Sequence, residues 1–476
     1  MTLTFVATLL LFVAVGLAAS RRARHHRQDY YLAGRSVPPW LVALSAVATN
    51  NSGYMFIGVI GYTLYAGFAA IWLMAGWICG DFIASLHVHR RLRAAAARTG
   101  EVTYGGLLAN WYGHPFVRLR RLSALVTLLF LGSYAAAQLL AGSKALHVLL
   151  GWPLAAGAVV AAAVVLAYSL AGGIRASIWT DALQSLVMIA TMGGLLWVAV
   201  ASLGGPGPAF DQLLAVPGYA DPLPPDLALP GLAGLLLFVA GWLVAGFAVV
   251  GQPHIMVRFM ALNDGKRMTT VRLWYYSWFI LFYLAATAVG LLSRLVLGAE
   301  LADPELALPT MALQLLPAPL VGLLLAGIFA ATLSTADSLL LACSAALTQD
   351  LPRQRLERPL WLKLATLGVT LLALTIALSG SDSVFTLVIL SWGILGSAFA
   401  PLLLVYCAGG RPSERRAIAM LLVGVGVALL WRHLGWHQAL FEGLPAAIAS
   451  LLLYRCWPAT KAPAPVTLGG DSQTSA

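Results

Sequence analysis

The chain has 476 residues, of which 60% are hydrophobic and only 10% charged, with a mean hydropathy of +0.85. Soluble globular proteins carry about 25% charged residues, so this composition excludes an ordinary soluble protein and points to one large membrane bundle. Four cysteines (Cys79, Cys343, Cys407, Cys456) lie scattered in apolar runs without a CxxC spacing, which supports neither a disulfide framework nor a zinc site.

With about 20 residues needed per crossing, hydropathy predicts about thirteen helices, near 3–19, 39–63, 66–88, 122–148, 153–171, 178–203, 231–250, 272–297, 318–346, 360–380, 384–407, 416–432 and 437–456. The first run has no basic residue before it and is followed by Arg21-Arg22 rather than a small-residue cleavage site. It therefore reads as an uncleaved span, not a signal peptide. The second is interrupted at mid-depth, where Thr49-Asn50-Asn51-Ser52 precedes Gly53. Non-helical backbone at that depth is tolerated only where it lines a cavity or is covered by protein, and broken helices of this kind build ion and solute sites in secondary transporters. A polar seam between helices is the plainer alternative.

Acids within the spans are few: Asp81, Asp181, Asp337 and Glu442. Asp81 sits toward one helix end and is expected to pair with Arg90 or Arg91. Glu442 begins the last span and is expected to snorkel to the interface. Asp181 follows Gly172-Gly173-Ile174-Arg175 and has two readings, a helix cap beside Thr180 or part of a cation site. Asp337 lies in Ser334-Thr335-Ala336-Asp337-Ser338, inside the apolar run 319–347. An unpaired carboxylate there would cost at least ~2.5–3.5 kcal/mol. Ala331, Ser334, Thr335 and Ser338 follow the i, i+3, i+4, i+7 spacing of one helix face. A hard cation such as sodium takes oxygen ligands, which this face and the carbonyls of a broken helix would supply together. Back-bonding of the hydroxyls to their own helix is the alternative for Ser334 and Thr335 taken alone.

Gly251-Gln252-Pro253-His254 is either part of a gate or a Pro-terminated helix end with Arg258 as an anchor, and His254 has no second ligand at metal-binding spacing. Trp392 with Gly393, Gly396 and Ser397 either flanks a solute path or forms a small-residue seam. The loops 204–230 and 298–317 carry Asp211, Asp221, Asp226 and Glu300, Asp303, Glu305, and the tail 458–476 reads as disordered. No Walker loop, strand-borne GxGxxG or His/acid cluster occurs, which disfavours ATP-driven transport, kinase output and an integral-membrane enzyme.

The net charge of +11 does not call for nucleic acid. With the N-terminus outside, Arg21 to Arg35, Arg90 to Arg121, Arg175, Arg258 to Arg272, Arg353 to Lys363, Arg411 to Arg416 and Arg455 with Lys461 all fall inside. Only Lys144, Arg294 and Arg432 fall outside. The positive-inside rule then places the N-terminus out and the C-terminus in.

Several segments occur together and in order: Asp29-Tyr30-Tyr31-Leu32-Ala33-Gly34-Arg35 with Trp40, Ser45 to Gly53, Gly172-Gly173 through Trp179-Thr180-Asp181, Gly251-Gln252-Pro253-His254 with Arg258-Phe259-Met260, Ser334 to Asp350, and Trp392-Gly393 through Phe399-Ala400-Pro401. In this the chain resembles the sodium/solute symporter family, in its proline-symporter-like branch. The resemblance implies an all-α membrane domain over 1–457 with LeuT-like inverted five-helix repeats, about 39–203 and 231–407, and a broken second helix. It implies sodium on the carbonyls of Ala48, Asn51 and Ala331 with the hydroxyls of Ser334 and Thr335. A possible second sodium falls on Asp181, Asp337 and Ser338. Solute contacts fall on Asn50, Ser52, Gly53, Tyr134, Gln138 and Trp392. Three positions depart from the proline symporters: these carry Asp where this chain has Asn50, and a Trp and a Tyr where it has Ala245 and Val249, and from the latter pair a larger or less aromatic pocket is expected.

The function expected is sodium-coupled symport of a small organic solute, an amino acid such as proline, by alternating access in the cell inner (plasma) membrane. The coupling ion is the only cofactor expected, and no nucleic acid or obligate protein partner is. Proton coupling, or a transporter-like sensor acting with a separate partner, is the alternative.

Overall fold

The computed structural model describes residues 1–23, 26–298, 301, 303–379 and 384–458. Arg24, Glu300 and the tail from 459, Lys461 included, lie outside them. Among the described residues ten helices are long and apolar enough to cross a membrane. Large apolar side chains face outward along them, including Leu3, Leu129, Trp197, Leu232 and Leu273. In water such a belt would be an aggregation surface; in a bilayer it is the lipid contact.

Glycine decides where the longest runs bend. Leu154–Ser202 spans 49 residues, and at 1.5 Å per residue an unbroken helix of that length would be more than twice a bilayer core. Gly173 turns it with φ 54° and ψ −143°, a conformation closed to side chains with a Cβ. A Cβ there would also stand 2.5 Å from the Tyr30 carbonyl oxygen. Gly173→Ala is therefore expected to lower the thermal stability of the purified protein by the equivalent of about 1–3 kcal/mol; an unshifted melting temperature would show that the bend does not depend on this residue.

Basic residues knit one end of the bundle. Arg175 Nη2 lies 2.5 Å from Asp29 Oδ1. Arg35 Nη2 donates to the carbonyls of Ala96 (2.7 Å) and Glu101 (3.0 Å), and Arg93 Nε to that of Leu262 at 2.6 Å. Arg355 Nη2 is 2.8 Å from both Glu101 oxygens. At the other end Lys144 pairs with Glu305 at 2.5 Å, and the loops hold structure of their own: Pro206–Ala215 in one and Ala307–Leu315 in the other are helical. The last helix, Gly443–Cys456, has 14 residues and is not among those ten; it begins later than the hydropathy boundary of 437 because Trp436–Gln438 forms a separate 3-10 turn.

Two central helices position the site. Pro39–Asn50 starts on Pro39, whose fixed φ suits a first helical position, and stops at Asn50. The helix carrying the hydroxyls, Ala318–Ala345, is buried almost throughout and extends as a π turn to Asp350.

Candidate ion and solute site

The break is made by side chains that satisfy backbone groups locally instead of continuing the helix. Asn51 leaves helical geometry (φ −86°, ψ 73°), and its Nδ2 donates back to the Val47 carbonyl at 3.0 Å. Ser52 Oγ accepts from Tyr54 N–H at 3.2 Å. The chain resumes through a π turn, Met55–Val59, into Ile60–Ala66. The first half therefore ends inside the protein with last-turn carbonyls that have no partner within the helix.

The hydroxyl helix supplies those partners. Ser334 Oγ donates to the Ala48 carbonyl and sits 3.1 Å from it and 3.1 Å from the Ala331 carbonyl. Thr335 Oγ1 is 3.0 Å from the Thr49 carbonyl and 3.2 Å from that of Ala331. Three carbonyl and two hydroxyl oxygens thus converge at a helix C-terminus, the negative end of its dipole. Ala48, Ala331, Ser334 and Thr335 meet here. Thr49 is an addition that the sequence reading passed over, although it lay inside the polar run that gave the break away. Asn51 is present at the turn, with its amide engaged on Val47.

A second polar centre lies alongside. Asp181 is not a helix cap: it sits eight residues beyond the Gly173 bend within the helix, fully buried. Its Oδ2 accepts from Ser45 Oγ at 2.6 Å and lies 3.5 Å from Arg258 Nη2. Arg258 is likewise no exposed anchor. Its side chain is completely buried, with Nη1 donating to the His254 carbonyl at 2.7 Å and Nη2 to Ser177 Oγ at 2.9 Å and to Ser338 Oγ. Ser338 joins the two centres, standing 3.0 Å from Thr49 Oγ1, 2.6 Å from the Ser334 carbonyl and 3.0 Å from Asp337 Oδ1. Asp181, Asp337 and Ser338 lie together, beside the Arg258 guanidinium. A cavity of about 30 Å³ is lined by Arg258, Ser338, Thr103 and Asp350 among others.

The remaining expected solute residues flank the break from its other side. Gln138 Oε1 accepts from Gly53 N–H at 2.9 Å, and Tyr134 OH donates to Ser52 Oγ at 3.3 Å. Gly53 is required for this approach, since a Cβ would stand 2.8 Å from Thr332 Cγ2 and 3.2 Å from Gln138 Oε1. Gln138 Nε2, Asn50 Oδ1 and Gln252 Oε1 are buried with no hydrogen-bond partner. Buried amides are rarely left so, and a polar ligand is one thing that completes them. Trp392 Nε1 donates to the Ala245 carbonyl at 2.7 Å, and its ring lies 5.0 Å from that of Trp77, which stacks on Tyr54 at 5.7 Å. Trp392 thus docks on the backbone of residue 245, and Trp77 and Tyr54 from other elements stand beside it.

Two acids behave differently from expectation. Asp81 pairs with neither Arg90 nor Arg91. It is fully buried and accepts from Asn50 Nδ2 (3.3 Å), Tyr275 OH (2.8 Å) and Tyr276 OH (3.0 Å). Glu442 does not snorkel: it is 1% exposed, 2.9 Å from Arg432 Nη1, and packed over Gly393. Asp81, Tyr275, Trp77 and Arg258 had only weak sequence signals, an in-span acid or a Tyr-Tyr pair, because their partners are remote in the chain.

Comparison with known proteins places the chain in a family. The Sodium:solute symporter family model matches residues 30–424. The high-affinity proline transporter PutP of Bacillus subtilis is 31% identical over 435 residues, covering 89% of this chain and 90% of that protein. The sodium/proline symporter of Escherichia coli is 28% identical over 463 residues, covering 94% and 90%. Among solved structures, a Na+-coupled sialic acid symporter in a substrate-bound outward-open state superposes with a TM-score of 0.80 at 17% identity, covering 97% of this chain and 98% of that one, a likeness of fold. An all-helical, multi-span bundle with a broken helix facing hydroxyls, and a family match over most of its length, make the chain a multi-pass inner-membrane transporter, not an enzyme, that belongs to the sodium:solute symporter family.

Proposed function

We propose that the chain couples inward movement of sodium to uptake of proline or a similarly small zwitterion by alternating access. The observation that carries this reading is the meeting of the Ala48 and Thr49 carbonyls with Ser334 and Thr335 at the break. Sodium is the transported cation there: Ala48, Asn51, Ala331, Ser334 and Thr335 hold it, with Thr49 added. The solute lies against Asn50, Ser52, Gly53, Tyr134, Gln138 and Trp392. Its carboxylate suits the unpartnered Gln138 amide hydrogens, and its apolar body suits the Trp392–Trp77 wall. The relatives named for proline supply the solute class.

Arg258 takes the place of a second sodium among Asp181, Asp337 and Ser338, so one sodium accompanies each solute. That is sufficient. The membrane potential gives about 2.3 kcal/mol per charge at 100 mV, and a tenfold gradient about 1.4 kcal/mol, together roughly 500-fold accumulation of a neutral solute. The architecture is thirteen spans with two inverted repeats, about 39–203 and 231–407, in a single domain of 1–457. The N-terminus is outside and the C-terminus inside, supported by the gathering of Arg35, Arg93, Arg175 and Arg355 at one end.

Uptake into proteoliposomes tests this, with an amino-acid panel and with sodium and proton gradients imposed separately. Sodium-driven uptake of proline or a close analogue is expected. Uptake that follows only the pH gradient would replace sodium with a proton, and high-affinity solute binding without any uptake would favour a sensor.

A further inference from the structure

We propose that Asp81 is a positioning residue for the coupling ion: a fixed negative charge that acts through Asn50 on the broken helix. The inference rests on the symport reading above. Asp81 is fully buried, yet its hydrogen-bond partners are all neutral: Asn50, Tyr275 and Tyr276. Among the described residues it makes no ion pair, and the nearby Arg272 directs its Nη2 to the Ser85 carbonyl at 2.8 Å. A buried charge without a counter-charge is costly, and two tyrosines and an amide offset only part of that cost. The missing counter-charge has an obvious place. Asn50 is the last residue of the helix whose Ala48 and Thr49 carbonyls face Ser334 and Thr335, so a cation bound there lies within one helical turn of Asn50.

The connection is also geometric. Asn50 Nδ2 donates to Tyr275 OH at 2.6 Å and to Asp81 Oδ2 at 3.3 Å, while Tyr275 OH donates to the same Asp81 oxygen. With both hydrogens held on that side, Asn50 Oδ1 is left as an unpartnered acceptor beside the break. Asp81 therefore sets which way the amide faces as well as the local field. A purely structural acceptor for two tyrosines would not need a charge.

The test is Asp81→Asn and the exchanged pair Asp81→Asn/Asn50→Asp, each purified and assayed for sodium-dependent proline uptake and for binding of radiolabelled sodium. Asp81→Asn is expected to raise the half-saturating sodium concentration at least about tenfold, the scale of one charge acting across a protein interior. Maximal uptake should persist at saturating sodium, with a smaller change in the half-saturating proline concentration. The exchanged pair restores a single carboxylate to the same hydrogen-bonded couple and is expected to recover sodium affinity. An unchanged sodium requirement in folded Asp81→Asn would overturn the proposal, as would a defect confined to proline affinity. If Asp81→Asn does not fold, the exchanged pair decides: near-parental sodium affinity supports the proposal, and weak affinity in a folded protein overturns it. Failure of the symport reading would be seen separately, as absence of sodium-driven uptake by the unsubstituted protein.

Discussion

Replacing Arg258 by methionine is expected to destabilise the protein by about 3–5 kcal/mol, the cost of stranding the partner of a buried ion pair. The side chain is inaccessible, and every group around it is arranged for a cation: the Asp181 carboxylate, the His254 carbonyl, and the hydroxyls of Ser45, Ser177 and Ser338. Methionine fills similar volume but leaves Asp181 without its counter-charge. The diagnostic variant is the double substitution Arg258→Met/Asp181→Asn, which removes both charges and should recover most of the loss, since buried pairs are often replaceable together. Thermal unfolding of the purified protein reads both. A single variant as stable as the parent would mean that the guanidinium is not the partner holding these carboxylates. A double variant no better than the single would shift the dependence from Asp181 to Asp337, which also feels the Arg258 charge.

The second large effect concerns coupling. Ser334→Ala and Thr335→Ala each remove a hydroxyl that sits between the Ala331 carbonyl and a carbonyl of the broken helix. A hydrogen-bonding or ligating oxygen for a charged group contributes about 1.5–3 kcal/mol. Each loss should therefore raise the half-saturating sodium concentration by roughly 10- to 100-fold. Uptake measured over a wide sodium range, at fixed ionic strength, reads this directly. If the hydroxyls only bond back to their own helix, the substitutions would change thermal stability slightly and leave sodium dependence untouched.

Much of the architecture was legible along the chain. The apolar runs and the distribution of arginine follow from the bilayer as solvent, which acts on each segment independently of the rest. The break at Asn50–Gly53 was legible for a similar reason: four polar side chains beside glycine oppose a continuous helix locally. Ser334 and Thr335 stood out because hydroxyls at helical spacing beside a carboxylate are rare in an apolar run. What failed were the pairings assigned to the buried charges. Asp81 was assigned to the arginines nearest in sequence, nine and ten residues on, whereas it faces Tyr275 and Tyr276 from a distant helix. For Asp181 the cap and cation-site readings stood side by side, and only the fold, which carries the helix on through the Gly173 bend, removed the cap. Arg258 was placed at a surface that the packed bundle does not expose.

By itself, then, the sequence determined a many-spanned membrane protein, the break at Asn50–Gly53 and a hydroxyl-bearing face on the helix that carries Ser334, since each rests on local chemistry and the hydrophobic requirement of lipid. Tertiary structure alone decided which partners meet: Arg258 with Asp181 and Glu442 with Arg432 as ion pairs, and Asp81 with the neutral amide of Asn50. Such pairings depend on helices far apart in the chain packing side by side, and the energy of a buried charge is set by the few ångströms around it rather than by its neighbours in sequence.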